Sequence, residues 1–364
     1  MEAFKNLFSQ AFFAHFVGQV KLAYLAFDEQ RFMELIYDEN WKNKELKQRI
    51  RHIAITLTQT LPPTYADALT ILTTLAPRCR GFEYLFFPEY VELNGMDHFE
   101  LSITALAIFT RSSSSEFAVR PFILKDPEKM MNQMMRWAND ENEHLRRLAS
   151  EGCRPRLPWA ANLNLFKIDP TPILPILTLL KEDTSEYVRK SVANNLNDIS
   201  KDHPLLILEL AKKWHGQHPH TNWIVKHGCR TLLKTGNSQV LSLFGFTEFD
   251  DIQISQLSLL HDIISIGDDL EFSFNIDNRS IQSKKLRIEY EIGFVKAKGS
   301  LMAKRFKLSE RTYGLGVSSI TKKHSFKVIT TRNYYAGKHR LSIYINGKEL
   351  ASVLFNLTCP PVLS

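Results

Sequence analysis

Two carboxylates set among cations recur at matching places in two related tracts of this sequence. In NEHLRRLASEGCRPRLPW (Asn142 to Trp159) the row is Arg147 and Glu151, with Arg154 just beyond. In SEYVRKSVANNLNDISKDHP (Ser185 to Pro204) it is Lys190, Asn194 and Asp198, spaced i, i+4, i+8 along one helix face. Converging carboxylates can stabilise developing positive charge and align a water, most strongly where bulk water is excluded. Cations on the same face attract a polyanion. The tracts align on Glu143 and Glu186, 43 residues apart, a period that suits a repeated pair of antiparallel helices. Glu151 and Asp198 then lie on matching faces of adjacent repeats, where they can meet. Val188, Val192, Leu196 and Ile199 make one apolar stripe, as do Leu145, Leu148 and Ala149. The charged row is expected opposite that stripe, on the solvent side.

The elements that must position these groups read as helices over the first two-thirds of the chain. ENWKNKELKQRIRHIAITLTQTLP places Leu46, Ile50, Ile53 and Leu57 on one face before Pro62 and Pro63 stop it. TYADALTILTTLAP carries Tyr65, Leu69 and Leu72 at helical spacing, and the pattern recurs in HFELSITALAIFTR, PEKMMNQMMRWAND, PILPILTLLKED, HPLLILELAKKWHG and NWIVKHGCRTLLKTG. Helix pairs that each bury a stripe on their neighbours predict a mainly α protein, a HEAT-like α–α superhelix over residues 1–245. Near Gly245 the period changes to two. Leu270, Phe272, Phe274 and Ile276 alternate, as do Leu286, Ile288, Tyr290 and Ile292, and Asn346-Gly347 separates two further alternating runs. Residues 250–364 are therefore expected to form a β-sandwich of immunoglobulin-like type, without the Cys…Trp…Cys pattern of antibody domains.

Charge divides along the same line. The net formal charge is +7, and from Asp251 onward 17 Lys and Arg face 10 Asp and Glu, so the excess lies in the last third. A basic module joined to a neutral one points to an anionic partner; a sandwich kept soluble by lysine is the bland alternative. Apolar runs stop short of the ~20 residues a membrane span needs. MEAFKNLFSQAFFAHF reads as an amphipathic helix, not a signal peptide. Cys79, Cys153, Cys229 and Cys359 are scattered without metal-ligand spacing, so no metal or cofactor is expected, and a reducing cytoplasm is.

SEFAVRPF, HLRRLASEGCRPRLPW, SEYVRKSVANNLNDISKDHP and NWIVKHGCRTLLK closely resemble the AlkC branch of the HEAT-like DNA glycosylases. The resemblance covers most of the first 245 residues, and many members also carry a C-terminal immunoglobulin-like domain. It implies monofunctional excision of cationic alkylated bases from duplex DNA, such as 3-methyladenine, 3-methylcytosine and 1-methyladenine, by a monomer found in the cytoplasm and on the nucleoid. It also implies that Glu116, in SSEFAVRP, acts catalytically beside Glu151 and Asp198. An alkylated base that is already cationic needs no general acid, which leaves the carboxylates to stabilise an oxocarbenium-like sugar and position water.

Other residues are read for contact with the nucleic acid. Trp159 follows PRLP and Trp223 stands at a helix start; each is either a platform that stacks on a base or a buried packing residue. Arg147, Arg154, Arg156, Lys190 and Lys226 are candidates for phosphate contacts, with solvated helix ends as the alternative. Trp41, Trp137 and Trp214 sit in helical patterns that predict core. In the sandwich, Lys284, Lys285, Lys304, Arg305, Lys322 and Lys323 are expected to meet the duplex. Two functional classes stay open on fold alone, a glycosylase and a non-catalytic DNA- or RNA-binding scaffold.

Overall fold

The apolar stripes become helices where a cap and a breaker bound them. A computed structural model describes residues 4–329 and 332–359. Its α-helices run α1 (Gln10–Ala23), α2 (Glu29–Ile36), α3 (Leu46–Thr60), α4 (Tyr65–Leu75), α5 (Phe86–Asn94), α6 (Phe99–Thr110), α7 (Val119–Lys125) and α8 (Pro127–Ala138). They continue as α9 (Glu143–Gly152), α10 (Asn164–Ile168), α11 (Leu174–Leu179), α12 (Glu186–Ile199), α13 (Pro204–Trp214), α14 (Pro219–Gly228), α15 (Arg230–Thr235) and α16 (Ser238–Leu243). Ser9, Asp28 and Asp126 cap α1, α2 and α8, each side chain accepting from the backbone N–H three residues on. Glu45 and Gln48 close a reciprocal capping box on α3.

Two compact units result. One comprises Met1–His203 with Lys213–Gly228, the other Pro204–Lys212 with Cys229–Ser364. The change of period near Gly245 falls between the end of α16 and the first strand, which begins at Ile252, whereas the compact units divide earlier, because α15 and α16 belong with the strands. In the first unit α9 packs on α12 and α12 on α14, the row expected from the 43-residue offset. Val188, Val192, Leu196 and Ile199 are buried, as are Leu145, Leu148 and Ala149, and Trp41, Trp137 and Trp214 are core. An aromatic cluster joins α1 to α5: Phe16 meets Phe86 edge-on at 5.2 Å, and Phe86 meets Phe87 at 5.1 Å.

Among the described residues the second unit holds eight strands, β1 (Ile252–Leu259), β2 (Ile263–Ser265), β3 (Asp269–Asn278), β4 (Lys284–Val295), β5 (Leu301–Tyr313), β6 (Gly316–Ser325), β7 (Gly337–Ile345) and β8 (Lys348–Thr358). They form a three-stranded sheet, β1-β3-β6, and a five-stranded sheet, β2-β8-β7-β4-β5, which share one core. All pairings are antiparallel except β2 with β8. Both alternating runs seen in the sequence point their apolar residues into that core. The Asn346-Gly347 turn is as expected, with φ of +44° and +81°. Its tip lies so close to Gly236, the left-handed C-cap of α15, that a Cβ on Gly347 would come 2.3 Å from the Gly236 Cα. The bases expected to face DNA are partly consumed here. Lys284 pairs with Asp251 at 2.7 Å, Lys285 donates to the Phe244 carbonyl at 2.8 Å, and Arg305 donates to the Lys234 carbonyl while pairing with Glu291. Lys323 pairs with Glu271, whereas the side chains of Lys304 and Lys322 carry no ion pair among the described residues.

Within the sandwich, His324 on β6 is buried among Tyr290, Phe294, Phe306 and Phe326, with its Nδ1 3.0 Å from the Tyr290 hydroxyl and its Nε2 unbonded. Burial, with Arg332 and Lys304 nearby, pushes its pKa down to about 4. A depressed histidine binds its proton more weakly folded than unfolded. It leaves stability untouched above about pH 6.5 and subtracts from it as pH falls from there toward 4. The protection factors of the β3, β4 and β6 amides, exchange rates corrected for their intrinsic pH dependence, should therefore fall as pH drops from about 6.5 to about 4.5. His324→Gln should flatten that slope; an unchanged slope in the variant would place the acid sensitivity elsewhere.

Candidate active site

Small residues bring α9 and α12 together. The hydroxyls of Ser150 and Ser191 meet at 2.6 Å, and Asn195 Nδ2 donates to the Ser150 carbonyl at 2.8 Å. This close approach brings in charges that a helical wheel sets outside. Glu151 and Asp198 are 6% and 2% exposed, and Arg154 is 6% exposed. The expected solvent-side row is corrected accordingly: Lys190 is exposed, Asn194 half-buried and Asp198 enclosed, because α12 lies between α9 and α14.

The buried charges form one alternating chain. Arg147 Nη1 bonds Glu116 Oε2 at 2.5 Å and Ser114 Oγ at 2.9 Å, and its Nη2 lies 3.5 Å from Glu151 Oε1. Arg154 Nη1 donates to the same Oε1 of Glu151 at 2.7 Å, while its Nε donates to Asp198 Oδ2 at 2.9 Å. Lys201 closes the chain on Asp198 Oδ1 at 3.0 Å. Burial works against the charge on Arg154, but Glu151 and Asp198 outweigh it and hold the guanidinium above its ordinary pKa. Arg147 follows the same balance, with Glu116 and Glu151 opposing burial. The three acids thus converge through two shared guanidinium groups. Among the described residues, Glu151 takes both cations on Oε1 and its Oε2 carries no hydrogen bond.

This geometry reassigns several expected roles. Arg147 and Arg154 do not stand on the solvent side as expected but turn onto the acids and bridge them. The physical reason is desolvation: an acid drawn inside by helix packing needs a bonded partner, and the nearest base supplies it. Arg156 pairs with Asp202 at 2.6 Å and is half-buried. Lys190, paired with Glu186 at 2.7 Å on the surface, remains open to solvent. Lys226 is half-buried on α14. Glu116 lies in the turn before α7, half-buried. Trp159 and Trp223 are 60% and 40% exposed, so both are available for stacking and neither is core. Trp223 lies flat on His227, with centroids 5.1 Å apart at 5°.

Three residues contribute that sequence reasoning passed over. Arg120, buried on α7, donates to the carbonyls of Gly152, Arg154 and Ala161 and so shapes the loop that carries Arg154 and Trp159. Burial lowers its pKa to about 10. Tyr187 sits under the Arg147 guanidinium, 4.9 Å from the ring centroid, with its pKa raised by burial. Lys47 on α3 donates to the Trp159 carbonyl at 2.6 Å. Trp159 has φ +64°, a left-handed backbone that costs a non-glycine residue about 1–2 kcal/mol. Arg120 and Tyr187 stand inside the tracts SEFAVRPF and SEYVRK, so their neighbourhood was visible, but nothing local marked an arginine as buried. Among the described residues no cluster of His, Cys, Asp and Glu is arranged to hold a metal ion, and no helix is long and apolar enough to cross a membrane.

A helical body enclosing acids bridged by arginine, followed by a β-sandwich, finds its counterpart among DNA repair proteins. Residues 111–232 match the family model described as a DNA alkylation repair enzyme, and residues 253–359 match that of the C-terminal Ig-like domain of the uncharacterised protein YhaZ. The matched helical segment contains Glu116, Glu151 and Asp198. The class is therefore a DNA alkylation repair enzyme with a HEAT-like helical domain and an immunoglobulin-like sandwich. The uncharacterized protein YhaZ of Bacillus subtilis (strain 168) is 48% identical over 358 residues, covering 98% of this chain and all of that protein. The solved structure of the Pseudomonas fluorescens alkylpurine DNA glycosylase AlkC, bound to DNA containing an abasic site analog, superposes with a TM-score of 0.94 at 38% identity. That likeness covers 98% of this chain and 100% of the other. The chain belongs to the AlkC family of DNA alkylation repair glycosylases.

Proposed function

We propose that this protein is a monofunctional DNA glycosylase that releases cationic alkylated bases from duplex DNA by hydrolysing the N-glycosidic bond. The observation that supports this most is the enclosed chain Glu116–Arg147–Glu151–Arg154–Asp198, in which carboxylates are bonded in place before any substrate arrives. Preorganised charge of this kind needs no reorganisation when positive charge develops on the sugar. A 3-methyladenine, 3-methylcytosine or 1-methyladenine leaving group already carries its charge, so the site needs no acid to protonate it. Both oxygens of Asp198 are bonded to cations, and both of Glu116 face Arg147. Glu151 is therefore the carboxylate with an oxygen left to accept from the attacking water, and Asp198 and Glu116 act through the field they set up. The relative in the solved complex is bound to DNA containing an abasic site analog, which is the product this reaction leaves. The direct test is incubation with methylated duplex DNA and chromatography of the released bases. Binding to the duplex with no free base released would favour the non-catalytic scaffold.

The second unit is proposed to contribute attraction for the duplex, since the excess positive charge lies there. Because α15 and α16 belong to that unit, a fragment ending at residue 250 would strip them of their packing partner; the fragment to compare is residues 1–228, which holds all of the first unit and, of the second, only Pro204–Lys212. We expect it to retain its helical signal by circular dichroism and to lose most 3-methylcytosine release at physiological salt. A well-folded 1–228 fragment with undiminished release would reduce the sandwich to an accessory.

A further inference from the structure

Trp159 is a large apolar side chain, 60% exposed, on a backbone that a residue with a Cβ rarely adopts. Something must hold it there. Among the described residues its ring makes one aromatic contact, to Phe82, edge-on with centroids 6.3 Å apart. The gap behind it, between α3, α5 and the Ser114–Ala118 turn, has a volume of about 20 Å³. That is room for about one water and not for a nucleobase. The inner face of the indole is thus packed against apolar residues of α3 and α5 and Phe117, and a base meeting the indole must do so on its outer face.

A second restraint is polar. Arg120 holds the base of the loop through the Arg154 and Ala161 carbonyls, and Leu163 N–H donates to the Pro155 carbonyl at 3.1 Å. At Trp159 itself the bond is that from Lys47 Nζ to its carbonyl, reaching across 112 residues of sequence. The same ammonium lies 5.1 Å above the ring of Phe117, the residue after Glu116. One cation thus joins the strained peptide of Trp159 to the turn that carries a site carboxylate. A charge-assisted hydrogen bond and the strain of a left-handed tryptophan are of the same order, so losing the first releases the second.

We propose that Lys47 is a positioning residue of the glycosylase, holding the Trp159 indole toward the bound lesion through the Trp159 carbonyl. This rests on the glycosylase reading of the site. Lys47 touches neither substrate nor reacting atoms in this role, and its effect passes through Trp159.

The test uses the full chain labelled with 5-fluorotryptophan, the Trp159 resonance being assigned with Trp159→Phe. Lys47→Met should shift or split that resonance while leaving the other four in place. It should slow single-turnover release of 3-methyladenine from duplex DNA about tenfold, and Lys47→Arg, which can still reach the carbonyl, should recover most of the rate. Lys47→Met combined with Trp159→Ala should be no slower than Trp159→Ala alone. An unmoved resonance in Lys47→Met, or losses that multiply in the double variant, overturns the proposal. If the wild-type protein releases no base, the glycosylase reading fails separately, and the resonance alone decides whether Lys47 sets the indole.

Discussion

Glu151→Gln and Asp198→Asn are each expected to slow single-turnover base release by about a hundredfold or more, the scale of losing one preorganised electrostatic group. Both substitutions keep size and hydrogen-bonding oxygen and remove a charge, so they isolate the field from the packing. Glu151→Gln should show the larger loss, because Glu151 has the oxygen available to a water while Asp198 is saturated by Arg154 and Lys201. Affinity for a duplex with an abasic-site analogue should change only a few-fold, since neither acid is placed to contact phosphate. Thermal melts of both variants separate chemistry from folding: a rate loss in a protein that melts like the wild type belongs to the reaction. Release of 3-methyladenine at the wild-type rate by both variants would remove these acids from the mechanism.

How much of this site could be read in the sequence depended on whether the deciding interaction was local. The apolar stripe Val188–Val192–Leu196–Ile199 and the turn Asn346-Gly347 were legible because a helix period and a left-handed dipeptide are written in adjacent residues. The neighbour relation of α9 and α12 followed from a repeat offset, and so did the convergence of Glu151 with Asp198. What was not legible was the depth of the helix contact. The Ser150–Ser191 approach is a property of two helices together, and it turns an outward row of charges inward. The sequence points Arg147 and Arg154 to the surface because arginine is almost never fully buried unless paired. Beside the local partner Glu151, Arg147 and Arg154 pair with Glu116 and Asp198, 31 and 44 residues away. Two of the sandwich bases follow the same rule: Lys285 and Arg305 are spent on the carbonyls of Phe244, just after α16, and Lys234 in α15, a use that no strand pattern announces.

That distinction between enclosed and open cations yields the second large effect. Arg154→Met should destabilise the helical unit by about 3–5 kcal/mol, because it leaves Glu151 and Asp198 enclosed without the charge they share. Lys190 is the contrasting case. Its pair with Glu186 is exposed on both sides, and such pairs are worth about 0–1 kcal/mol. Lys190→Glu should leave chemical denaturation of the helical unit nearly unchanged. If Lys190 instead meets phosphate, the same variant should weaken binding to lesion and undamaged duplexes alike and lower the log–log salt slope by about one unit or more. Arg154→Met should lose base release far more than its binding loss accounts for, since the two carboxylates it aligned are no longer held apart. A stable Arg154→Met protein with normal base release would show that the acids need no bridging cation. A Lys190→Glu protein that binds both duplexes with an unaltered salt slope would move the phosphate contact off α12, leaving Arg156 and Lys226 as the candidates on the loop after α9 and on α14.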